Sequence, residues 1–405
     1  MGSRQSKLHQ NRDGYTRQFL GLSFGNHFAY SMKPREHTNI NHSLANQYLT
    51  RCKDMEANMK ETQPNHEIQI TRRSVLCGAL TTAAVAISSR VLAQEMQKYL
   101  PPRMEPKPKG PLVFLDYDKE EIDIAYDQAP WAPNAPEISK RNAQKSATAI
   151  ARLGEPRRVA YGSGEIEKVE IYTTKQPNAP INIFLHGGAW RSGNARGAAY
   201  MSESFVDAGA HFISVDFNNA PEVDGNLMTM ADQIRRAIGW VYKNASSFGG
   251  DSNRLYISGN SSGAHLAAVA LTTDWKKDFG LPPDILKGGI CCSGMYDLHP
   301  VSLSARAGYV KFTPEVIEKL SPQRNLEKLL APVIVAHGSL ETPEFQRQSR
   351  EFAAAVKQAG KHVTLLIGQG YNHYEMFETL GNPYGLLGRA ILEQMKINVA
   401  YTARS

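Results

Sequence analysis

The chain has 405 residues, 41% hydrophobic and 21% charged, with 32 Gly and 22 Pro, proportions that exclude a disordered or collagen-like chain. Its 46 Lys and Arg against 39 Asp and Glu give a net charge of +7, which on its own invites a nucleic-acid or membrane-surface partner. The charge is segregated: residues 1–93 carry 12 basic and 6 acidic side chains, leaving 34 against 33 in residues 94–405, where no basic stripe remains to hold nucleic acid.

Residues 1–93 read as a presequence, a polar extension followed by an export signal at 71–93. Arg72 and Arg73 precede a mildly apolar run over 75–87 that is too short and too interrupted by Ser and Thr to span a bilayer. The run ends at Val91-Leu92-Ala93, a small-residue pattern of the kind signal peptidases cut. Gln94 is then the expected mature start, and a twin-arginine route to the periplasm or exterior is expected, with a cytoplasmic protein if the signal is not used. About 70 residues precede the arginines, with Met55 and Met59 as alternative initiators. The opening Met1-Gly2-Ser3-Arg4-Gln5-Ser6 also fits an N-myristoylation pattern, read as chance beside an export signal.

Residues 94–158 read as an N-terminal linker, rich in Pro and Lys over 101–111, and candidate cap helices, helical and polar over 115–158 with aromatic residues at Tyr117, Tyr126 and Trp131. Residues 159–405 read as the catalytic core. Short apolar runs at 181–185, 212–215, 255–258, 288–292, 333–336 and 363–366 alternate with helical patterns at 198–208, 228–244, 262–271, 344–358 and 384–396. Near-continuous apolar strands separated by helices predict an α/β fold, a mostly parallel central sheet with helices on both faces. The four cysteines, Cys52, Cys77, Cys291 and Cys292, form neither a disulfide framework nor a zinc spacing, and the adjacent pair reads as small buried apolar side chains in a strand.

Gly259-x-Ser261-x-Gly263 lies between a predicted strand and a predicted helix, the context of a nucleophile elbow. A serine hydroxyl is a weak nucleophile that needs a base oriented by a third group. Both partners should lie on loops after later strands, in the order nucleophile, acid, histidine. His373 is the chosen base, with His337 a weaker candidate, while His265, on the helix after the elbow, reads as a packed core residue. Glu341 is the chosen acid and Asp297 the runner-up; Glu344 begins a helix and fits its N-terminal turn. An oxyanion needs backbone N–H donors, expected from Ser262 and from the Gly187-Gly188 turn of Leu185-His186-Gly187-Gly188-Ala189-Trp190. Trp190, Asn260, Tyr371 and Tyr374 are the candidate pocket residues.

These residues resemble the α/β-hydrolase fold and, within its esterase/lipase branch, the arylformamidase (kynurenine formamidase) group. The similarity runs from about residue 117 to 394 and includes His186-Gly187-Gly188-x-Trp190, Ser261-Ser262-Gly263-Ala264-His265-Leu266, Asp274-Trp275, Ser293-Gly294-x-Tyr296-Asp297-Leu298 and Pro343-Glu344-Phe345-x-Arg347-Gln348-Ser349. It also includes Gly162-x-Gly164-Glu165-x-Glu167-Lys168-Val169 before the first core strands. The resemblance implies hydrolysis of a carboxylic ester or formamide through an acyl-enzyme on a Ser-acid-His triad, without cofactor or metal, placing nucleophile, acid and base on Ser261, Glu341 and His373. The chain departs from the group in having Glu341 where Asp is usual and Asn260 where His is usual. An exported relative is expected to meet esters, so a carboxylesterase is the first expectation and an arylformamidase the alternative. A catalytically silent binding protein on the same fold is a minor one. The expected partner is a small ester or amide; neither nucleic acid nor a membrane span is expected, and the oligomeric state is open.

Overall fold

The computed structural model describes residues 108–398. The extension, Met55 and Met59, the signal at 71–93, Gln94, Cys52, Cys77 and most of the Pro-rich linker lie outside the described residues.

An antiparallel pair, β1 (Leu112–Phe114) and β2 (Tyr117–Asp118), leads into α1 (Lys119–Ala125). A capping box starts that helix: the Asp118 carboxylate accepts from the Glu121 N–H, and the Glu121 carboxylate from the Asp118 N–H. A 3₁₀ turn over Ala129–Trp131, with Pro130 at its start, separates α1 from α2 (Ala135–Leu153), which stops at Gly154 with φ of 87°. The polar helical stretch expected over 115–158 is thus two helices, with β1 and β2 at its start and a further strand beginning at its end.

The rest alternates strand and helix: β3 (Arg157–Ala160), β4 (Lys168–Tyr172), β5 (Ala179–Leu185), α3 (Ala199–Asp207), β6 (His211–Val215), α4 (Leu227–Asn244), β7 (Gly250–Asn260), α5 (Ser262–Leu271), α6 (Trp275–Phe279) and β8 (Leu286–Cys292). Then follow α7 (Leu298–Ser302), α8 (Pro314–Leu320), β9 (Val333–Gly338), α9 (Pro343–Gln358), β10 (Val363–Gly368), α10 (His373–Glu378) and α11 (Leu386–Gln394). The strands make one eight-stranded sheet in the order β10-β9-β8-β7-β5-β6-β4-β3. It is parallel from β10 to β6, while β4 and β3 close the far edge antiparallel.

Strand periodicity divides the interior into two cores. Ile181, Ile183 and Leu185 of β5 face a layer built with α4, α5 and α9, while Phe184 joins the opposite layer with α3 and α11. Cys291 and Cys292 fall on opposite sides in the same way, both buried and free, and their burial pushes both thiols well above the ordinary range. Strand order reverses at β5, whose neighbours are β7 and β6. The carboxyl ends of β5 and β7 therefore flank a topological switch point, where a doubly wound sheet opens its crevice.

Candidate active site

Leu185 and Gly259 are register partners on β5 and β7, so the loops leaving these strands start side by side. Ser261 occupies the turn from β7 into α5 with φ 54° and ψ −124°, a conformation that costs a non-glycine residue on the order of 1–3 kcal/mol. Two close approaches impose that turn. A Cβ at Gly259 would lie 2.4 Å from the Gly263 oxygen, and one at Gly263 would lie 2.2 Å from the Leu185 oxygen. The Ser261 N–H donates to the Cys292 oxygen at 2.8 Å, tying the elbow to β8.

The turn after β5 carries backbone N–H groups, one of them, expected as a donor to the oxyanion, already engaged. The Gly187 N–H donates to Asn260 Oδ1 at 3.2 Å and is therefore already committed. The N–H groups of Gly188, Ala189 and Ser262 have no acceptor among the described residues, and Gly188 and Ala189 line the same cavity as Ser261. Gly188 and Ala189 adopt φ of 110° and 58°. The Trp190 N–H then donates to Ser262 Oγ at 3.0 Å, fastening this turn to the start of α5. Asn260 thus acts on the turn through Gly187 as well as lining the cavity.

The loops after β9 and β10 are also neighbours, with Gly338 paired to Gly368. Glu341 is fully buried, and its carboxylate accepts three hydrogen bonds: Oε1 from the Gly338 N–H and Ser293 Oγ, each at 2.6 Å, and Oε2 from His373 Nδ1 at 3.0 Å. A carboxylate only accepts, so His373 Nδ1 carries a hydrogen, and an imidazole whose single hydrogen is there has its lone pair at Nε2. Ser261 and His373 line one cavity of about 820 Å³, although no hydrogen bond joins them among the described residues. Catalytic contacts of this kind commonly tighten only with substrate bound.

Asp297, the alternative acid, is elsewhere: it accepts from the His299 N–H at the start of α7 and pairs with Arg324 at 3.2 Å. Glu344 is buried against Tyr126 Oη at 2.7 Å and against Arg347. His337 is buried, with Nδ1 against the Gly338 oxygen at 3.0 Å. His265 is a core residue, as expected: Nε2 donates to the Leu320 oxygen at 2.8 Å, Nδ1 accepts from Trp190 Nε1 at 3.2 Å, and burial pushes its pKa down to about 4.

Two expected pocket residues do not line this cavity. Trp190 turns inward onto His265 and is 1% exposed, and Tyr371 lies on the surface near Tyr384. An indole this large fills the core more favourably than it edges a polar cavity. Tyr374 and Asn260 do line it, and Tyr374 meets the His373 ring edge-on at 5.6 Å.

Sequence reasoning did not single out Ser293, although it stands in a quoted motif, nor the clamps from the N-terminal segment. Thr342, next to Glu341, donates to the Ala125 oxygen at 2.7 Å and accepts from Gln128 Nε2 at 3.0 Å. Asn372, next to His373, caps α10 and donates to Asn134 Oδ1 at 2.7 Å, while Asn134 Nδ2 donates to Glu375 at 2.7 Å. Only residues on both sides of each bond, more than 200 positions apart, reveal such partners.

Known proteins match this architecture. The kynurenine formamidase of Danio rerio is 32% identical over 290 residues, covering 68% of this chain and 96% of that protein. The chain belongs to the kynurenine formamidase family of α/β-hydrolases. The BD-FAE family model matches residues 169–284, the stretch from β4 through the elbow to the approach of β8. A more distant relative, the isoprenylcysteine alpha-carbonyl methylesterase of Arabidopsis thaliana, is 27% identical and covers 55% of this chain and 57% of its own. A thioesterase candidate from Silicibacter sp. superposes with a TM-score of 0.59 at 20% identity, covering 67% of this chain and 98% of that one, a likeness of fold. As a member of this family, the protein is a hydrolase acting on ester or formamide bonds.

Proposed function

We propose that the chain hydrolyses its substrate by two-step acyl transfer on Ser261, with His373 as base and Glu341 as the group that orients it. The observation that carries this reading is the carboxylate of Glu341, held by three donors, fixing the Nδ1–H tautomer of a histidine that shares a cavity with Ser261. His373 Nε2 takes the Ser261 hydroxyl proton as Oγ bonds to the carbonyl carbon. The oxyanion is received by the N–H groups of Gly188, Ala189 and Ser262, which have no acceptor among the described residues. The carbon–leaving-group bond then breaks and Nε2 gives its proton to the departing oxygen or nitrogen. Water, deprotonated by the same nitrogen, attacks the acyl-enzyme, and the proton returned to Oγ frees Ser261.

Two substrate readings follow. A carboxylic ester suits an exported enzyme, and a formamide has its own support: relatives named kynurenine formamidase are covered over 96% and 98% of their lengths, the methylesterases over little more than half. One panel tests both. Ser261→Ala should abolish turnover of p-nitrophenyl acetate and of N-formylkynurenine while the fold persists; retained activity on either overturns the assignment. Comparing kcat/KM of the unaltered enzyme on the two substrates then ranks ester against formamide.

A further inference from the structure

Arg306 is a charged group in the cavity for which the acyl-transfer chemistry has no use. It sits in a 3₁₀ turn over Ala305–Gly308, lines the cavity with Ser261 and His373, and is 8% exposed. Two of its five N–H donors are engaged by neutral acceptors, the Tyr126 backbone oxygen at 2.9 Å and the Tyr309 hydroxyl at 3.3 Å. Its Nε is buried with no acceptor, and no carboxylate among the described residues comes within ion-pair distance. Arg347, also largely buried, by contrast is closed by Glu344 and Glu351. An arginine removed from water without a counter-charge carries a desolvation cost that an incoming anion would relieve. Burial accordingly pushes its pKa below the ordinary arginine value.

The surroundings fit an anion. The guanidinium lies 5.4 Å from the centre of the Trp190 ring and 6.0 Å from that of Tyr126, so its plane is held before any ligand arrives. Arg191, exposed on the same cavity wall and over the Tyr309 ring at 5.1 Å, adds a second positive charge with no ion pair among the described residues. Two carboxylates share the wall, but Asp123 is paired with Lys119 at 2.5 Å and Asp127 accepts from the Ala129 N–H at 3.0 Å.

We propose that Arg306, with Arg191 beside it, receives a carboxylate carried by the substrate, so that the enzyme selects anionic esters or formamides over neutral ones of the same shape. The proposal rests on the hydrolase reading of the same cavity and adds to it a substrate class. A fixed guanidinium matches a carboxylate in two-point geometry, which lysine does not reproduce.

The test is kcat/KM of the full chain on two matched pairs, phenyl acetate with acetylsalicylate and formanilide with 2-formamidobenzoate. Benzoate and benzamide are compared as inhibitors and by calorimetry. The unaltered enzyme should favour the carboxylate member of each pair that it cleaves and bind benzoate over benzamide. In Arg306→Gln the ratio of anionic to neutral kcat/KM should fall by about 30-fold or more, the low end for removing one partner of a buried charge pair. Arg306→Lys should restore part of it. Equal handling of the two members by the unaltered enzyme, or a parallel fall of both in Arg306→Gln, overturns the proposal. If Arg306→Gln does not fold, the exposed Arg191→Gln reads the same ratio, and an unchanged ratio there, with benzoate no better bound than benzamide, overturns it. Were neither pair turned over, the hydrolase reading would fail, while benzoate calorimetry would still decide for or against Arg306 as the anion site.

Discussion

Glu341→Gln removes one charge and changes one acceptor into a donor while keeping shape. Oε1 now receives two donors and Oε2 one. The NH₂ of glutamine must take one of these places. Opposite the Gly338 N–H, 2.6 Å away and unable to turn, it would set donor against donor. It will therefore face His373, whose Nδ1 must then accept, forcing the hydrogen onto Nε2. A ring in that tautomer cannot take the Ser261 proton. The expected loss is about 10⁴-fold in kcat, the scale of the same carboxylate-to-amide change in the serine-protease triad. That loss is roughly 5 kcal/mol of transition-state stabilisation. The assay is the initial rate on p-nitrophenyl acetate with thermal melting to show an intact fold. A rate within tenfold of the unaltered enzyme, or a larger loss from Asp297→Asn, refutes the reasoning.

Ser293→Ala deletes one of the three donors on the Glu341 carboxylate, a charge-assisted bond worth roughly 1.5–3 kcal/mol. Both kcat and melting temperature should fall, and a variant unchanged in both would remove Ser293 from the site. Protonating His265 costs stability, because burial holds its pKa at about 4 against 6.5 for the free side chain. The unfolded chain binds the extra proton, so the stability from this group is present above pH 6.5 and is lost as pH falls through 6.5 towards 4. Denaturant melts across that window should show His265→Gln with a flatter acid limb, and parallel limbs would contradict this. Replacing Arg72 and Arg73 by lysine should hold the chain in the cytoplasm, read by cell fractionation, and unchanged export would exclude the twin-arginine reading.

The parallel strands β5 to β9 were legible because burial on both faces makes them continuous apolar runs, and the edge strand β10, though half-exposed, is apolar enough to fall where the sequence places it. The antiparallel edge was not: β3 begins with Arg157 and Arg158, both exposed, and its pattern does not separate from the polar helix before it. The turn at Ser261 and the loops after β9 and β10 that carry Glu341 and His373 were readable from glycine spacing and strand order. That the Gly187 N–H is engaged was not legible, because its acceptor, Asn260, lies 73 positions on. The inward turn of Trp190 was hidden for a similar reason, since its indole donates to His265 on α5, 75 positions on. Local pattern predicts which loop carries a group; it does not predict which of the loop's atoms a distant side chain has already engaged.

The clamps on Thr342 and Asn372 tie together segments made at opposite times of synthesis. Their partners, Ala125, Gln128 and Asn134, are synthesised first among the groups concerned, and the loops they hold are synthesised last. The elbow, well past the middle of the chain, is bounded by β5, β7 and β8. Ser261 and His373 are thus held by different parts of the chain, the serine turn by the central strands and the histidine loop by the N-terminal segment as well.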